Sequence, residues 1–464
     1  MQSKRGGLTM ENKYRFLARI IIEAKTPLNI GSGKKGIKTD SLVLRDVNGL
    51  PFIPGTTIAG LLRHTLNKDE EKFMGSQDLG SALVITEARM LDSDGRALDG
   101  ILSQLKLSSK FLQNYRQLPI RQHAKIGHRG ATVIGGKFDE EIVLKGTRFC
   151  FEMELLSANA DDTVFKQLLN TLTSDAFRVG SGSHSGFGEI EVVGQQCLYK
   201  KIDLTNEKQK KWYLEKSSSL SEDWLDADVL TLQKPQLEKW TTYVLELKPV
   251  GFLLFGSGLG NDKADMTFVK ETFIDWSSKE AQLKDREKVV LIPASSVKGA
   301  LSHRIAFHYN KLTQKFADTL TDVEDIDDYI GKNNVAVNAL FGSEGDVVGQ
   351  KKRCGNVLIS DIIEEDSLST KVLNHVAIDR FTGGAIDGAL FNEETLYAKG
   401  HSYNLKLMVN HEVFSDSCLI KTAFEDALKD LCSGMLPLGG GVNRGNGCFE
   451  GTIKRNGELI YGNN

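Results

Sequence analysis

The chain has 464 residues, and its 58 Lys and Arg side chains against 61 Asp and Glu leave a net charge of −3. Hydrophobic residues make up 40% and charged residues 26%, which is ordinary for a globular protein and excludes a chain that is disordered throughout. The sequence has no apolar run of the length that crosses a membrane, and its first residues lack the apolar core of a secretory signal. Its six cysteines contain no C-x-x-C pair, which fits a reducing cytoplasm and offers no thiolate zinc site.

The predicted elements follow one order twice along the chain. A strand at 14–24 alternates apolar and polar residues and then becomes β-branched. A glycine-rich loop, an Ile-Pro pair and a helix beginning at Thr56 and Thr57 come next, followed by a strand at 83–88, a helix at 164–172 and a strand at 188–193. The later half repeats the set, with strands at 242–250, 357–362 and 448–453, a helix from Ser295 and Ser296, and another at 420–431. Interpreted as strand, helix, strand, strand, helix, strand, the order is typical of an α+β, ferredoxin-like fold.

Matched sequence blocks show that the chain contains one unit twice. IGSGKKGIKTDSLVL, from Ile30, pairs with FGSGLGNDKADMTFV, from Phe255, and each carries an Asp nine residues after its first Gly. IPGTTIAGLLRH pairs with IPASSVKGALSH, H-x-x-I recurs from His123 and from His375, and a late glycine-rich loop recurs at a constant offset. KFMGSQDLGSALVITEARM also pairs with ALFGSEGDVVGQKKRCGNVLISDIIEE, which has extra residues. Five blocks in one order predict two copies, at 13–200 and 240–460. The polar segment 201–239 suits a linker or a lightly packed connection.

The glycine loops and the hydroxyl pairs admit more than one interpretation. The Gly31 loop lacks the P-loop spacing, and the late loops precede a strand rather than a helix, so neither is a nucleotide fingerprint. Thr56, Thr57, Ser295 and Ser296 could cap their helices, or the helix starts could offer donors to a phosphate. Both roles can hold together, because capping leaves other amides free.

These blocks together resemble the RAMP superfamily, and more narrowly the guide-RNA-binding backbone subunits of type III CRISPR effector complexes. The tandem form is similar to fused subunits of III-D-like systems. The resemblance implies two tandem ferredoxin-like (RRM-like) domains with inserted β-hairpin thumbs at 127–137 and 379–390. It also implies as partners crRNA, complementary target RNA, further RAMP subunits and a large polymerase/cyclase-like subunit, with no membrane. Base pairing by the guide would then read the target sequence.

The resemblance further assigns target cleavage to an Asp in the loop after the first strand. Asp40 holds that position in the first copy and Asp265 in the second. A carboxylate there could bind Mg²⁺ or Mn²⁺, orient the 2′-hydroxyl or act as a general base. The second copy lacks the Ser and the Arg-Asp that follow Asp40, which sets its activity apart; either Asp could also be a turn residue.

The remaining candidates are groups that could bind RNA. Two basic loop clusters stand out, one of Lys34, Lys35 and Lys38 and one of Arg121, Lys125 and Arg129. The full set of predicted RNA-binding residues is Lys34, Lys35, Lys38, Thr56, Thr57, Arg63, His123, Lys125, Arg129, Ser183, His184, Lys263, Ser295, Ser296, Lys298, His375, Arg380, Asn443 and Arg444.

Two other functions stay open from the sequence. The chain could be a crRNA-binding scaffold whose partners cut the target. It could instead be a stand-alone crRNA-processing endoribonuclease, a class that relies on histidine, for which His64 and His303 at matched helix positions are the candidates. The Asp in both matched loops favours a target-cleaving subunit over a scaffold, and the loop histidine that a processing endoribonuclease would need near the first helix is not evident.

Overall fold

The computed structural model describes residues 12–36, 39–66, 73–76, 80–127, 130–316, 318, 326–330, 333–343, 353–366, 369–415 and 417–462. Lys38 and Arg129 from the predicted RNA-binding set lie outside these residues. In the part of the chain that is described, no helix is long and apolar enough to cross a membrane.

The first copy and the connecting segment contain ten strands and five α-helices among the described residues. In chain order they are β1 (Tyr14–Ala24), β2 (Phe52–Ile53), α1 (Gly55–Arg63), β3 (Leu83–Ile85), β4 (Ala88–Met90), α2 (Gln104–Leu107), α3 (Lys110–Gln113), β5 (Ile120–Ile126), β6 (Thr132–Glu141), β7 (Arg148–Ser157), α4 (Thr163–Thr171), β8 (Ile190–Val192), β9 (Gln196–Asp203), α5 (Glu207–Glu215) and β10 (Asp228–Thr231).

The second copy follows with the matching series. Its elements are β11 (Trp240–Pro249), β12 (Phe252–Leu253), β13 (Met266–Thr267), β14 (Ile274–Asp275), β15 (Gln282–Leu283), β16 (Val289–Ile292), α6 (Ala294–Leu312), α7 (Ile326–Ile330), α8 (Val335–Phe341), β17 (Val357–Ile359), β18 (Ile362–Glu365), β19 (Ser369–Ile378), β20 (Ala385–Tyr397), β21 (Tyr403–Asn410), α9 (Glu412–Ser415), α10 (Cys418–Cys432), β22 (Phe449–Arg455) and β23 (Glu458–Tyr461).

Each copy is built on an antiparallel sheet, and four strands follow the same order in both. In the first, β3 pairs with β7, β7 with β1, and β1 with β8 and β9. In the second, the order is β17-β21-β11-β22-β23. Alternate residues of the central strands face the helices, so Phe16 and Ile20 pack against Phe165 in one core. Tyr243 and Phe424 occupy the equivalent core of the second copy. The structure therefore confirms a mixed α+β chain with two similar sheets.

The segment between the copies packs onto the first sheet. Strand β10 extends that sheet by pairing with β9, and Trp224 lies in a buried cluster with Leu17 and Ile202. The Arg19 guanidinium lies 4.9 Å from the Trp224 ring and donates to the Ser219 carbonyl at 3.1 Å. The segment thus covers the sheet face that points away from the helices, a closer packing than a linker implies.

Neither hydroxyl pair caps its helix, so the capping interpretation was wrong. Pro54 and Pro293 occupy the cap positions, which moves the Thr and Ser pairs into the first helical turn. In the second copy the N–H of Ala294 instead donates to Asp361 Oδ1 at 2.7 Å. A carboxylate distant in sequence therefore supplies the acceptor that local capping was expected to supply.

Two hairpins extend from the copies at matched places. Strands β5 and β6 pair from Ile120 opposite Glu141, and β19 and β20 pair from Ser369 opposite Tyr397. The predicted thumb segments 127–137 and 379–390 fall on the distal parts of these hairpins. Large apolar side chains are exposed there, among them Ile134 and Phe381.

The copies contact each other through ordered side chains. The β14–β15 hairpin of the second copy packs Ile274 and Ala281 against Leu144 of the first in a small buried cluster. The Trp276 indole donates to the Gly146 carbonyl at 2.7 Å, and the Arg148 guanidinium lies 4.0 Å from the centroid of the Trp276 ring. These contacts set the relative orientation of the two sheets.

Candidate functional site

Asp40 lies in the loop after β1 and is fixed to the base of the first hairpin. Its backbone N–H donates to the Asp139 carbonyl at 3.0 Å. The Asp139 N–H in turn donates to Asp40 Oδ2 at 3.2 Å. The Asp40 side chain is exposed. The loop and the hairpin therefore hold one carboxylate at a defined, solvent-facing position.

Asp265 occupies the equivalent position in the second copy. Its N–H donates to Asn392 Oδ1 at 2.8 Å, and the Asn392 N–H donates to Asp265 Oδ2 at 2.9 Å. Asp265 is also exposed. In both copies the Asp carboxylate accepts a backbone N–H of the hairpin. The Asp N–H donates to the main-chain carbonyl of Asp139 in the first copy and to the side-chain amide of Asn392 in the second.

A glutamate on each hairpin anchors the strand that follows the Asp. Glu141 accepts from Arg45 Nη2 at 2.7 Å and from the Val43 N–H at 2.8 Å. In the second copy, Glu394 lies 3.8 Å from Lys270 Nζ and accepts from Asn261 at 3.1 Å. These bonds tie loop to hairpin, so the position of each Asp depends on long-range pairing.

A histidine stacks on a phenylalanine beside each site. The ring centroids of His123 and Phe138 are 4.8 Å apart, and those of His375 and Phe391 are 5.0 Å apart. Burial, and to a lesser extent the nearby Arg121, lowers the pKa of His123 from 6.5 to about 4. His123 is therefore neutral at pH 7, so any contact with RNA would be by stacking or hydrogen bonding rather than by charge.

In the second copy three separate segments meet at the site. Glu393 lies next to Asn392 on the hairpin, and its carboxylate is 3.1 Å from His375 Nε2. Arg444, from the late glycine-rich loop, donates to the same carboxylate at 2.6 Å. The predicted Arg444 thus joins the site through Glu393, which the sequence analysis did not single out.

Several predicted RNA-binding groups are on the surface and available for contact. Lys34, Lys35, Thr56, Lys125, Lys263, Arg380 and Asn443 are exposed, and Thr57, Ser183, Ser295 and Ser296 are half-buried. Arg63 is exposed but also donates to the carbonyls of Met74 at 2.7 Å and Gly75 at 3.2 Å. The structure does not bring His64 and His303 together; His303 instead lies 3.4 Å from the Ile126 carbonyl, on the first hairpin.

One predicted group, His184, takes part in the contact between the copies, and another, Lys298, is partly withdrawn from solvent within the second copy. His184 bonds to the Val357 carbonyl at 2.7 Å through Nδ1 and lies 3.2 Å from Cys354 Sγ through Nε2. Lys298 is half-buried with its Nζ 6.0 Å from the Phe341 ring centroid, and burial lowers its pKa. Their placement was not readable from sequence, because each contact joins residues far apart in the chain.

Arg121 is the clearest correction to the basic clusters. Its side chain is buried and forms ion pairs with Glu271 and Asp361, both from the second copy. It is therefore unavailable to a solvated RNA backbone. The two partners lie 240 and 150 residues away in sequence, so the sequence gives no sign that this arginine is buried.

Asp40 and Asp139 are the carboxylates of the first copy that could take part in holding a divalent ion. Asp40 Oδ2 accepts a backbone hydrogen bond, and the neighbouring Asp139 Oδ1 is buried with no hydrogen-bond partner. Mg²⁺ is commonly held by one or two carboxylates together with substrate phosphates and water. Throughout the described residues, no group of three or more His, Cys, Asp and Glu side chains could hold a metal by itself.

Comparison with known proteins identifies the family. The sequence pattern of the RAMP superfamily matches residues 21–191 and 277–450, so the chain belongs to that superfamily and carries its pattern twice. The chain is also similar to the CRISPR system Cms endoribonuclease Csm3 of Methanocaldococcus jannaschii. The two are 28% identical over 224 residues, which cover 44% of this chain and 90% of that protein.

Proposed function

We propose that this chain is a backbone subunit of a type III CRISPR effector complex. It binds crRNA and cleaves complementary target RNA at two sites, one per copy. The similarity to an endoribonuclease named as part of a CRISPR system supports the class. The strand order shared by the two sheets supports a ferredoxin-like domain in each copy. The proposed setting is the cytoplasm, with crRNA, target RNA, further RAMP subunits and a polymerase/cyclase-like subunit as partners.

The observation that carries the proposal is the repeated placement of Asp40 and Asp265. In both copies the carboxylate accepts a hydrogen bond from the base of a hairpin, at 3.2 Å and 2.9 Å. A turn residue would need no such partner 99 or 127 residues away in sequence. The geometry therefore favours a positioned functional group over a local turn.

The hairpins supply what a separated RNA duplex would need. Their exposed apolar side chains, including Ile134 and Phe381, have little protein to pack against. Apolar side chains of this kind insert between base steps when proteins unstack nucleic acid. Exposed Lys34, Lys35 and Lys263 in the Asp loops could meet the backbone phosphates. We propose that each hairpin opens the guide–target duplex beside its Asp.

At the opened step, the protein's role is to position the reacting groups. Asp40 would hold a 2′-hydroxyl of the target or accept its proton, and Asp265 would do so in the second copy. In the first copy, a divalent ion held by Asp40 and Asp139 would stabilise charge on the phosphate. Because the hairpin fixes each carboxylate by a backbone bond, in-line geometry rather than a dense catalytic cluster supplies much of the rate.

The test is cleavage of labelled complementary RNA by the guide-loaded complex with Mg²⁺, Mn²⁺ or EDTA. Asp40→Asn, Asp265→Asn and the double variant are compared with wild type. Asparagine keeps an oxygen that can accept the hairpin N–H, so the fold is retained while the charge is lost. Each single variant is expected to lower one product by about 100-fold or more.

Asp262→Asn is the matched control, since it makes the same charge change on an exposed side chain three residues from Asp265. It should leave both products unchanged. If both products persist in the double variant while RNA still binds, the chain is a scaffold and a partner does the cutting. Cleavage that is unaffected by EDTA would refute the metal-dependent form of the proposal.

A further inference from the structure

The two Asp loops differ in what covers them. Gly258, in the Asp265 loop, has φ +78°, and a Cβ at that position would lie 2.6 Å from Oε1 of Gln122, a residue of the first copy's hairpin. Gly33 holds the equivalent place beside Asp40 with φ +72°, yet a Cβ there would meet no described atom within 4 Å. The hairpin of the first copy therefore lies against the second copy's loop, and the described chain places nothing comparable on the first.

Arg121 is the residue that joins this hairpin to the second copy. It lies on β5, next to Gln122, and its two terminal nitrogens pair with Glu271 and Asp361. Glu271 follows Asp265 by six residues along the same segment. Asp361 also accepts the Ala294 N–H at the start of α6. One buried guanidinium thus connects the hairpin, the segment after Asp265 and the helix start.

The first copy satisfies the equivalent carboxylates in a different way. Asp46 and Glu87 match Glu271 and Asp361 in the repeat, and both pair with Arg89 of their own copy, Asp46 at 3.3 Å. Ile363 stands at the position of Arg89 in the second copy. The second copy therefore lacks an arginine of its own there and takes Arg121 from the first.

The late glycine-rich loops show the same one-sided contact. A Cβ at Gly186 would lie 2.1 Å from Asp361 Oδ1, because this loop of the first copy sits on the second. Its counterpart, Gly445, would meet no atom of the described residues within 4 Å. The interface is thus head-to-tail, and within the described chain it is made once.

We propose that the Asp265 site is assembled from both copies, with Arg121 as a positioning residue that holds the first hairpin against the Asp265 loop. The Asp40 site does not depend on Arg121. This inference rests on the proposed function, and it predicts that the two cleavage products respond differently to one substitution.

The test uses the guide-loaded complex and three versions of Arg121. Arg121→Lys keeps one charge, and Arg121→Leu removes it. Since lone carboxylates left in the interior could prevent folding, a third variant combines Arg121→Leu with Glu271→Gln and Asp361→Asn, which leaves no buried charge unpaired. The matched control combines Arg89→Leu, Asp46→Asn and Glu87→Gln, the equivalent uncharged set in the first copy.

In the uncharged Arg121 variant, the rate of the Asp265-dependent product should fall by about tenfold or more, while the Asp40-dependent product changes by less than about twofold. Arg121→Lys should recover part of the loss. The control should leave the Asp265-dependent product unchanged. An equal fall in both products, or no change in either, would overturn the inference.

Hydrogen exchange on the full chain tests the assembly without cleavage. Amides at 256–260 should exchange about tenfold faster in the uncharged Arg121 variant, and those at 31–36 should not change. Equal exchange at 256–260 in wild type and variant would overturn the inference. If the wild-type complex makes no Asp-dependent product, the proposed function is refuted but this inference is not. The exchange measurement still decides whether the first hairpin covers the Asp265 loop.

Discussion

His123 makes the stability of the first copy depend on pH in a way that can be measured. Its ring is held between Phe138 and Phe187, near Arg121. Burial first, and then the charge of Arg121, lowers its pKa to about 4, while Asp361 and Asp139 act in the opposite direction. The folded protein therefore holds a neutral ring at pH values where an unfolded chain binds a proton.

The size of the effect follows from the two pKa values. With 6.5 for the unfolded chain and about 4 for the fold, the histidine's contribution is fully present above about pH 6.5 and is lost as the pH falls towards 4. Between pH 7 and pH 5 the loss is about 2 kcal/mol, at 1.36 kcal/mol for each pKa unit. Burial also lowers the pKa of His184 and raises the pKa of Glu140 and Glu271, so the contribution of His123 is the difference between wild type and a variant that lacks this ring.

The assay compares the free energy of unfolding of wild type and His123→Gln at pH 7 and pH 5. The variant should lose about 2 kcal/mol less than wild type over this interval. His411→Gln is the matched control, since that ring is exposed, and it should follow wild type. Identical pH profiles for wild type and His123→Gln, or an NMR titration of the His123 ring near pH 6.5, would refute the reasoning.

Three further predictions test the packing and the hairpins. Arg19→Met should lower the free energy of unfolding by about 3 kcal/mol in a thermal melt, because Arg19 pairs with Glu152 at 2.7 Å beneath Trp224; an unchanged melting temperature would contradict the packing of the connecting segment. Gly445→Ala should lower the free energy of unfolding by about 1 kcal/mol, because of its φ of +90° alone. Gly447→Ala should lower it by about 3 kcal/mol more, because the new Cβ would lie 1.8 Å from the Leu438 carbonyl oxygen; equal losses for the two variants would rule out that close contact. Phe381→Ser should leave stability within about 0.5 kcal/mol of wild type and weaken target RNA cleavage in the complex, and normal cleavage would argue against a role for the second hairpin tip.

Local pattern located several of the regular elements, although β7 and β21, which pair with the first strand of each sheet, were not among those predicted. The strand predicted at 14–24 is β1, and the helices predicted at 164–172 and 420–431 differ from α4 and α10 by one or two residues at their ends. The strands predicted at 83–88 and 357–362 are each divided into two short strands. Periodicity detects a buried run, but it does not detect a bend where one strand changes pairing partners.

The duplication was equally clear from sequence, and it placed Asp40 and Asp265 at matched positions that the structure repeats. A repeated order of short blocks survives in the sequence because each block shapes its own loop or turn. Through that repetition, the sequence by itself determined the class of fold, the number of copies and the pair of candidate carboxylates.

Only the tertiary structure decided which charged groups face solvent. Arg121 reads as part of a basic loop, yet it is buried against Glu271 and Asp361. The connecting segment reads as polar, yet Trp224 is buried. Whether a charged side chain can be buried depends on partners that the fold brings close, here from 150 or more residues away in sequence. The spacing of residues along the sequence does not show which distant residues will become neighbours.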